Sequence, residues 1–167
     1  MMKNYKKYLC YILAGLSLIT LILWGALDVI KYEIAYENAG VLGEKLYNGF
    51  NTIFGITENT IIGNINYKTE LTNFSILNLI TYLLGIIGII FIVLNKKIKK
   101  IGCGINILAS IMLCLWGIFT EMAIPSSYLS SVENAGYTIS FTLATPAIIC
   151  ICVLFITNIL GIIFIEE

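Results

Sequence analysis

The chain has 167 residues, 59% hydrophobic and 12% charged, with a mean hydropathy of +0.92 and a formal net charge of zero. That composition excludes an ordinary soluble domain of this length. Every basic residue is lysine and histidine is absent, so bidentate Arg forks, the default metal ligand and the neutral-pH proton shuttle are all missing. No enzyme activity, cofactor, metal site or nucleic-acid partner is expected.

Lys3, Lys6 and Lys7 precede a first apolar run at 8–27. About 20 helical residues cross the roughly 30 Å of bilayer hydrocarbon, and runs of that length recur at 74–94, 101–120 and 146–165. The first run is too long for a signal-peptide apolar region, and Trp24-Gly25-Ala26-Leu27-Asp28 is a poor cleavage site, so it reads as a retained helix. Lys96, Lys97, Lys99 and Lys100 fill the turn between the second and third runs, whereas only Lys31, Lys45 and Lys68 lie in the longer connections. The positive-inside rule therefore predicts a multi-pass cell-membrane protein with both termini and this turn cytoplasmic. The connections 28–73 and 121–145 are then outer loops. Cys10, Cys103, Cys114, Cys150 and Cys152 all lie within or beside the runs, so no exported disulfide is implied.

The outer loops carry their own periodicities. Residues 30–37 alternate apolar and polar, as a half-buried strand does, and Asn38-Ala39-Gly40 reads as a turn. From 41 to 54, Leu42, Leu46, Phe50, Ile53 and Phe54 fall on one helical face, opposite Glu44, Lys45, Asn48 and Asn51, predicting an amphipathic helix. Ile61, Ile65, Tyr67 and Leu71 return to strand-like spacing, and Tyr137, Ile139, Phe141 and Leu143 alternate with polar residues. Three strands are thus expected to pair into a small sheet with the helix beside it. Thr145 and Pro146 suit the N-cap and first turn of the last helix. Asp28 and Glu121 read as solvated charges at helix ends.

Three pairs of matching words hint at a duplicated hairpin. Leu23-Trp24-Gly25 parallels Leu115-Trp116-Gly117, and Glu37-Asn38-Ala39-Gly40 parallels Glu133-Asn134-Ala135-Gly136. The second helices share Leu84-Gly85-Ile86-Ile87 and Leu160-Gly161-Ile162-Ile163. Within the runs there is no charge near the midplane, which removes the usual mark of proton relays and coupled transport. Polarity there is mild: Asn78, Thr81, Asn106, Ser110, Thr157 and Asn158. Asn106 and Asn158 are placed to hydrogen-bond as structural glue, and Gly85 and Gly88 permit close helix packing.

The segment Tyr47-Asn48-Gly49-Phe50-Asn51-Thr52-Ile53-Phe54-Gly55, set after a first span and before three more, is similar to a loose class of uncharacterised bacterial four-span membrane proteins. The layout also resembles claudin-type tetraspan proteins, whose outer loops form a sheet, although their external cysteine pair and Gly-Leu-Trp motif are absent. The resemblance implies a four-helix bundle with an outer loop segment and no particular activity.

The expected fold is an all-α integral membrane protein, one domain over 1–167, built as a four-helix transmembrane bundle with a small extracellular α/β cap. The expected function is non-enzymatic: binding or supporting a partner at the outer cell surface, either another membrane protein or a second copy of the chain. The contact surface would comprise Tyr32, Tyr36, Leu42, Leu46, Phe50 and Phe54. The alternative is a small oligomeric transporter or channel lined by the Asn and Thr positions. A polar cavity reaching mid-membrane would favour transport, and a dry interior would favour binding. Glu or Tyr side chains converging in an outer pocket would revive a membrane hydrolase.

Overall fold

Apolar runs with no internal proline and few β-branched polar residues favour helix, because a helix satisfies its own backbone hydrogen bonds. In a computed structural model, which describes residues 2–36, 39–62, 65–94 and 98–165, these runs are α1 (Met2–Ala26), α3 (Ile76–Leu94), α4 (Lys99–Cys114) and α7 (Thr145–Phe164). Between α1 and α3 lie β1 (Asp28–Tyr36), β2 (Gly40–Asn48), the short α2 (Gly49–Phe54), β3 (Thr57–Ile62) and β4 (Ile65–Glu70). Between α4 and α7 lie α5 (Trp116–Glu121), α6 (Ser126–Asn134) and β5 (Tyr137–Leu143).

The expected all-α, four-span fold does not hold. Among the described residues the structure holds two antiparallel sheets beside its helices, and three helices are long and apolar enough to cross a membrane: Tyr8–Ala26, Ile76–Leu94 and Thr145–Phe164. The run at 101–120 is not one helix. It breaks at Leu115, whose amide turns back to the Met112 carbonyl at 2.9 Å, leaving pieces of 16 and 6 residues. Tertiary anchoring overrides helix propensity there. Trp116 is fully buried and donates from Nε1 to Thr52 Oγ1 at 2.7 Å. Gly117, which has little helix propensity, presses against the Phe141 carbonyl so closely that a Cβ would clash with it.

The amphipathic helix expected over 41–54 is also corrected. Residues 40–48 are strand β2 and only 49–54 are helix. Leu42 and Leu46 are four apart, a spacing that shares a face under a period of 2 as well as 3.6. Gly40 and Gly43 weaken the helical alternative, and β1 offers a ladder from Asp28↔Asn48 to Tyr36↔Gly40. Asn48 instead caps α2, accepting from Asn51 N at 2.8 Å. The last helix begins one residue earlier than expected, with Ala144 at the cap and Pro146 in the first turn.

One sheet has the order β2-β1-β5, all antiparallel, and the other is the β3–β4 hairpin. Ile30, Tyr32 and Ile34 of β1 pair with Leu143, Phe141 and Ile139 of β5 on the face turned to the core. The sheet is stapled to the helices by Ala144 N to Val29 O at 2.9 Å and by Phe141 N to Glu121 Oε1 at 2.9 Å. Glu121 therefore holds β5 and is more than a solvated helix-end charge.

Below the sheet, α1, α3, α4 and α7 pack in a closed ring, α3 on α4, α4 on α7, α7 on α1 and α1 on α3. The bond expected between the two asparagines is present, Asn106 Nδ2 to Asn158 Oδ1 at 3.1 Å, and Asn158 Nδ2 continues to Ser17 Oγ at 3.1 Å. Glycines set the closest approach: a Cβ on Gly102 would lie 2.6 Å from the Gly88 carbonyl, and one on Gly85 would lie 2.7 Å from Leu21 Cδ1. The connections within the two suggested hairpins differ: the first holds β1, β2, α2, β3 and β4, and the second holds α5, α6 and β5. What the two share is local: Gly40 and Gly136 both take positive φ, 72° and 79°. Glu37 and Asn38 lie outside the described residues, as do Lys96 and Lys97.

Gly88→Ala is expected to lower stability by about 1–3 kcal/mol, because its Cβ would clash with Asn106 Oδ1 and meet the Gly102 carbonyl at 2.9 Å. Gly15→Ala, with no neighbour within 4 Å, should leave stability unchanged or slightly raised. Unfolding of the full chain in detergent, followed by circular dichroism, reads both.

Candidate functional site

The sheet end carries the chemistry that the helices lack. β1 and β2 turn Tyr32, Ile34, Gly43, Lys45 and Tyr47 to one side, because alternate residues of a strand share a face. The β3–β4 hairpin sets Glu58, Thr69 and then Leu71 opposite them, and α6 contributes Tyr128. These residues other than Tyr47, together with Glu44, line a cleft of about 390 Å³, within the size range of small-molecule sites.

Glu58 is its hub. Lys45 Nζ donates to both carboxylate oxygens at 2.7 Å, and Tyr47 Oη donates to Oε1. Burial alone would raise the Glu58 carboxyl, but these two partners outweigh it and hold the group below the ordinary carboxylate range. Tyr32 Oη and Tyr128 Oη lie 3.2 Å apart, and the Tyr32 ring sits edge-on to Tyr47 at 6.2 Å. Burial raises both the Tyr32 and Tyr47 phenols, aided by the hydrogen bonds to Tyr128 and Glu58 respectively. These hydroxyls stay protonated at any physiological pH.

On the other face of the same strands, Glu33 and Glu44 oppose each other directly, an arrangement that would repel. Lys31 bridges them, 2.8 Å from Glu33 and 2.5 Å from Glu44, and its ammonium is held above its ordinary value by those bonds. β2 forms one edge of the sheet, paired on one side only among the described residues, and is exposed from Gly40 to Leu46.

The residues expected to form a contact surface are divided by the fold. Tyr32 is 4% exposed and forms a wall of the cleft. Leu42 and Leu46 stand out from the edge strand at 57% and 53% exposure. Tyr36 is exposed and packs on Tyr137 with centroids 5.1 Å apart. Phe50 covers Gly25 and meets Tyr82 edge-on at 5.6 Å. Phe54, 68% exposed, stands 6.4 Å from Phe74. Sequence reasoning missed Glu58, Lys45 and Tyr128 as members of one site. Nothing in their spacing of 13 and 83 residues could have joined them before the strand order was known.

The interior polar groups form a separate system. Asn78 Nδ2 donates to Thr120 Oγ1 at 3.0 Å and to the Thr52 carbonyl at 3.3 Å. Asn78, Asn106, Ser110 and Asn158 are each at most 1% exposed. Among the described residues, no group of three or more Cys, Asp or Glu side chains is placed to hold a metal ion. No protein-family model matches the chain, and no curated protein matches it.

Because the Glu58 carboxyl is lowered in the folded protein, the unfolded chain takes up its proton first as pH falls. The stabilisation is therefore complete above the ordinary value of 4.5 and is lost as pH drops through the lower native value. The difference in thermal midpoint between the wild type and Glu58→Gln should be constant well above pH 4.5 and shrink as the pH falls below it. A difference that widens in acid would contradict the assignment.

Proposed function

We propose that this chain is a multi-pass cell-membrane protein, its lysine-rich turn cytoplasmic, that binds a partner through its sheet end on the outer side. Three helices of membrane-crossing length and apolarity support the location. Lys99 and Lys100 at the start of α4, at the opposite end from the sheet, support the orientation.

The observation that carries binding is the exposed edge of β2. An unpaired edge strand offers a row of free backbone N–H and C=O groups to an incoming strand. Val41, Leu42 and Leu46 project from it, exposed by more than half, next to a cleft lined with hydroxyls and charge. Transport is less well supported, because Asn106, Asn158 and Ser17 bond to one another, Asn78 bonds Thr120, and all are closed from solvent.

The convergence of Glu58 with three tyrosines meets the condition set for a hydrolase, yet its electrostatics favour binding. A general base works best with a pKa near the operating pH, whereas Glu58 is lowered and already bonded to Lys45 and Tyr47. Raised phenols make poor nucleophiles.

A photocrosslinking amino acid at Leu46 tests the proposal in native membranes. The expected result is a discrete protein adduct, with another protein or a second copy of the chain. It should disappear when Leu42→Asp is introduced, and be absent when the probe is moved to Ile163 on α7. A chain that purifies alone, with no adduct from any position on β2 or α2, would overturn it.

A further inference from the structure

We propose that the cleft between β1–β2 and the β3–β4 hairpin is a site for a small organic cation of the alkylammonium class, with Lys45 occupying the ammonium position when no ligand is bound. This inference rests on reading the sheet end as the binding face.

The wall chemistry suits a short amine with an apolar tail. Ile34 and Leu71 supply apolar surface, and the hydroxyls of Tyr32, Tyr128 and Thr69 supply oxygen acceptors around Glu58. An ammonium offers three N–H donors and no acceptor, so a carboxylate flanked by hydroxyl oxygens matches it. The phenol rings add attraction for a cation at their faces.

The asymmetry of the Lys45–Glu58 pair decides the sign of the ligand. The Lys45 side chain is 59% exposed and the Glu58 side chain 19%. Lys45 can swing from the edge strand into water at little cost, since an exposed ammonium is already largely hydrated. Glu58 cannot leave its pocket so easily. A ligand ammonium that replaces the Lys45 ammonium keeps the carboxylate paired throughout. A ligand anion recruited by Lys45 would leave Glu58 unpaired and face its charge, which is strongly unfavourable. The surrounding field agrees: among the described residues of these strands and the hairpin, Asp28, Glu33, Glu44, Glu58 and Glu70 outnumber Lys31, Lys45 and Lys68.

The test uses the full chain in phosphatidylcholine nanodiscs, with butylammonium and butyrate as probes, followed by titration calorimetry and ligand-observed NMR. Butylammonium should bind and butyrate should not. Lys45→Met removes the internal competitor and should tighten butylammonium several-fold, the opposite of what loss of a ligand-binding lysine would do. Glu58→Gln, nearly the same shape, should weaken it by about tenfold or more. Circular dichroism confirms that each variant is folded; Lys45 is exposed enough for its variant to serve even if Glu58→Gln is destabilised. Butyrate binding, weaker butylammonium binding by Lys45→Met, or no binding by wild type and Lys45→Met alike would overturn the inference. If the Leu46 adduct still forms in that last case, the binding face stands and only its ligand class falls.

Discussion

The contact on which the rest of this molecule depends is the edge-to-face meeting of Trp24 and Trp116, with ring centroids 5.4 Å apart and both side chains fully buried. One tryptophan closes α1 and the other opens α5, so the pair joins the first half of the chain to the second at the base of the sheet. Such a pair adds about 0.5–1.5 kcal/mol beyond its burial. Its larger consequence is positional. Trp116 Nε1 bonds Thr52, Thr52 bonds the Gly49 carbonyl, and Asn78 reaches both the Thr52 carbonyl and Thr120. Helix α2 is thereby tied to α3 and α5 through side chains that have no solvent to fall back on, and buried polar groups are costly when unpaired.

With α2 held in place, the strands on either side of it have little freedom. β2 enters α2 at Asn48, and β3 begins at Thr57, three residues after Phe54, so the two are brought face to face. Leu71 N and Ser75 N then bond the carbonyls of Ile56 and Ile53, at 2.8 and 2.9 Å, closing the hairpin back onto α2. The cleft is a product of this chain path rather than of its own ion pair. A pair as exposed on one side as Lys45–Glu58 contributes little to stability, so breaking it does not endanger the fold. A site whose walls are set by backbone and apolar packing can exchange one ammonium for another.

Much of the helical part was legible because apolar runs of about 20 residues have few other solutions. The run at 101–120 was the exception. Its break at Leu115 follows from Trp116 reaching Thr52, 64 residues away, and no local pattern records that pull. Strands β1 and β5 were legible from strict alternation over residues with one buried face. β2 was not, since Leu42 and Leu46 satisfy both periods and its outer face is solvent. The candidate surface was half legible for a related reason: periodicity identifies which residues share a face, and only tertiary structure says whether that face is covered. Tyr32 and Leu46 carried similar signals, yet α6 and the hairpin cover the first and leave the second bare.

The two polar systems of the molecule illustrate what separates structural from functional polarity here. In the helices, Asn106, Asn158 and Ser17 are joined to one another and to backbone by hydrogen bonds and closed from solvent, with Asn106 Oδ1 left unpartnered. Removing a partner there leaves a buried orphan. At the sheet end, Glu58 is bonded to a lysine that solvent already reaches, and the tyrosine hydroxyls around it keep spare acceptor capacity. Disturbing that site releases one flexible side chain into water and exposes a carboxylate that another cation can take. Polarity sealed from solvent holds helices together, whereas polarity completed by an exchangeable side chain is arranged for a visitor.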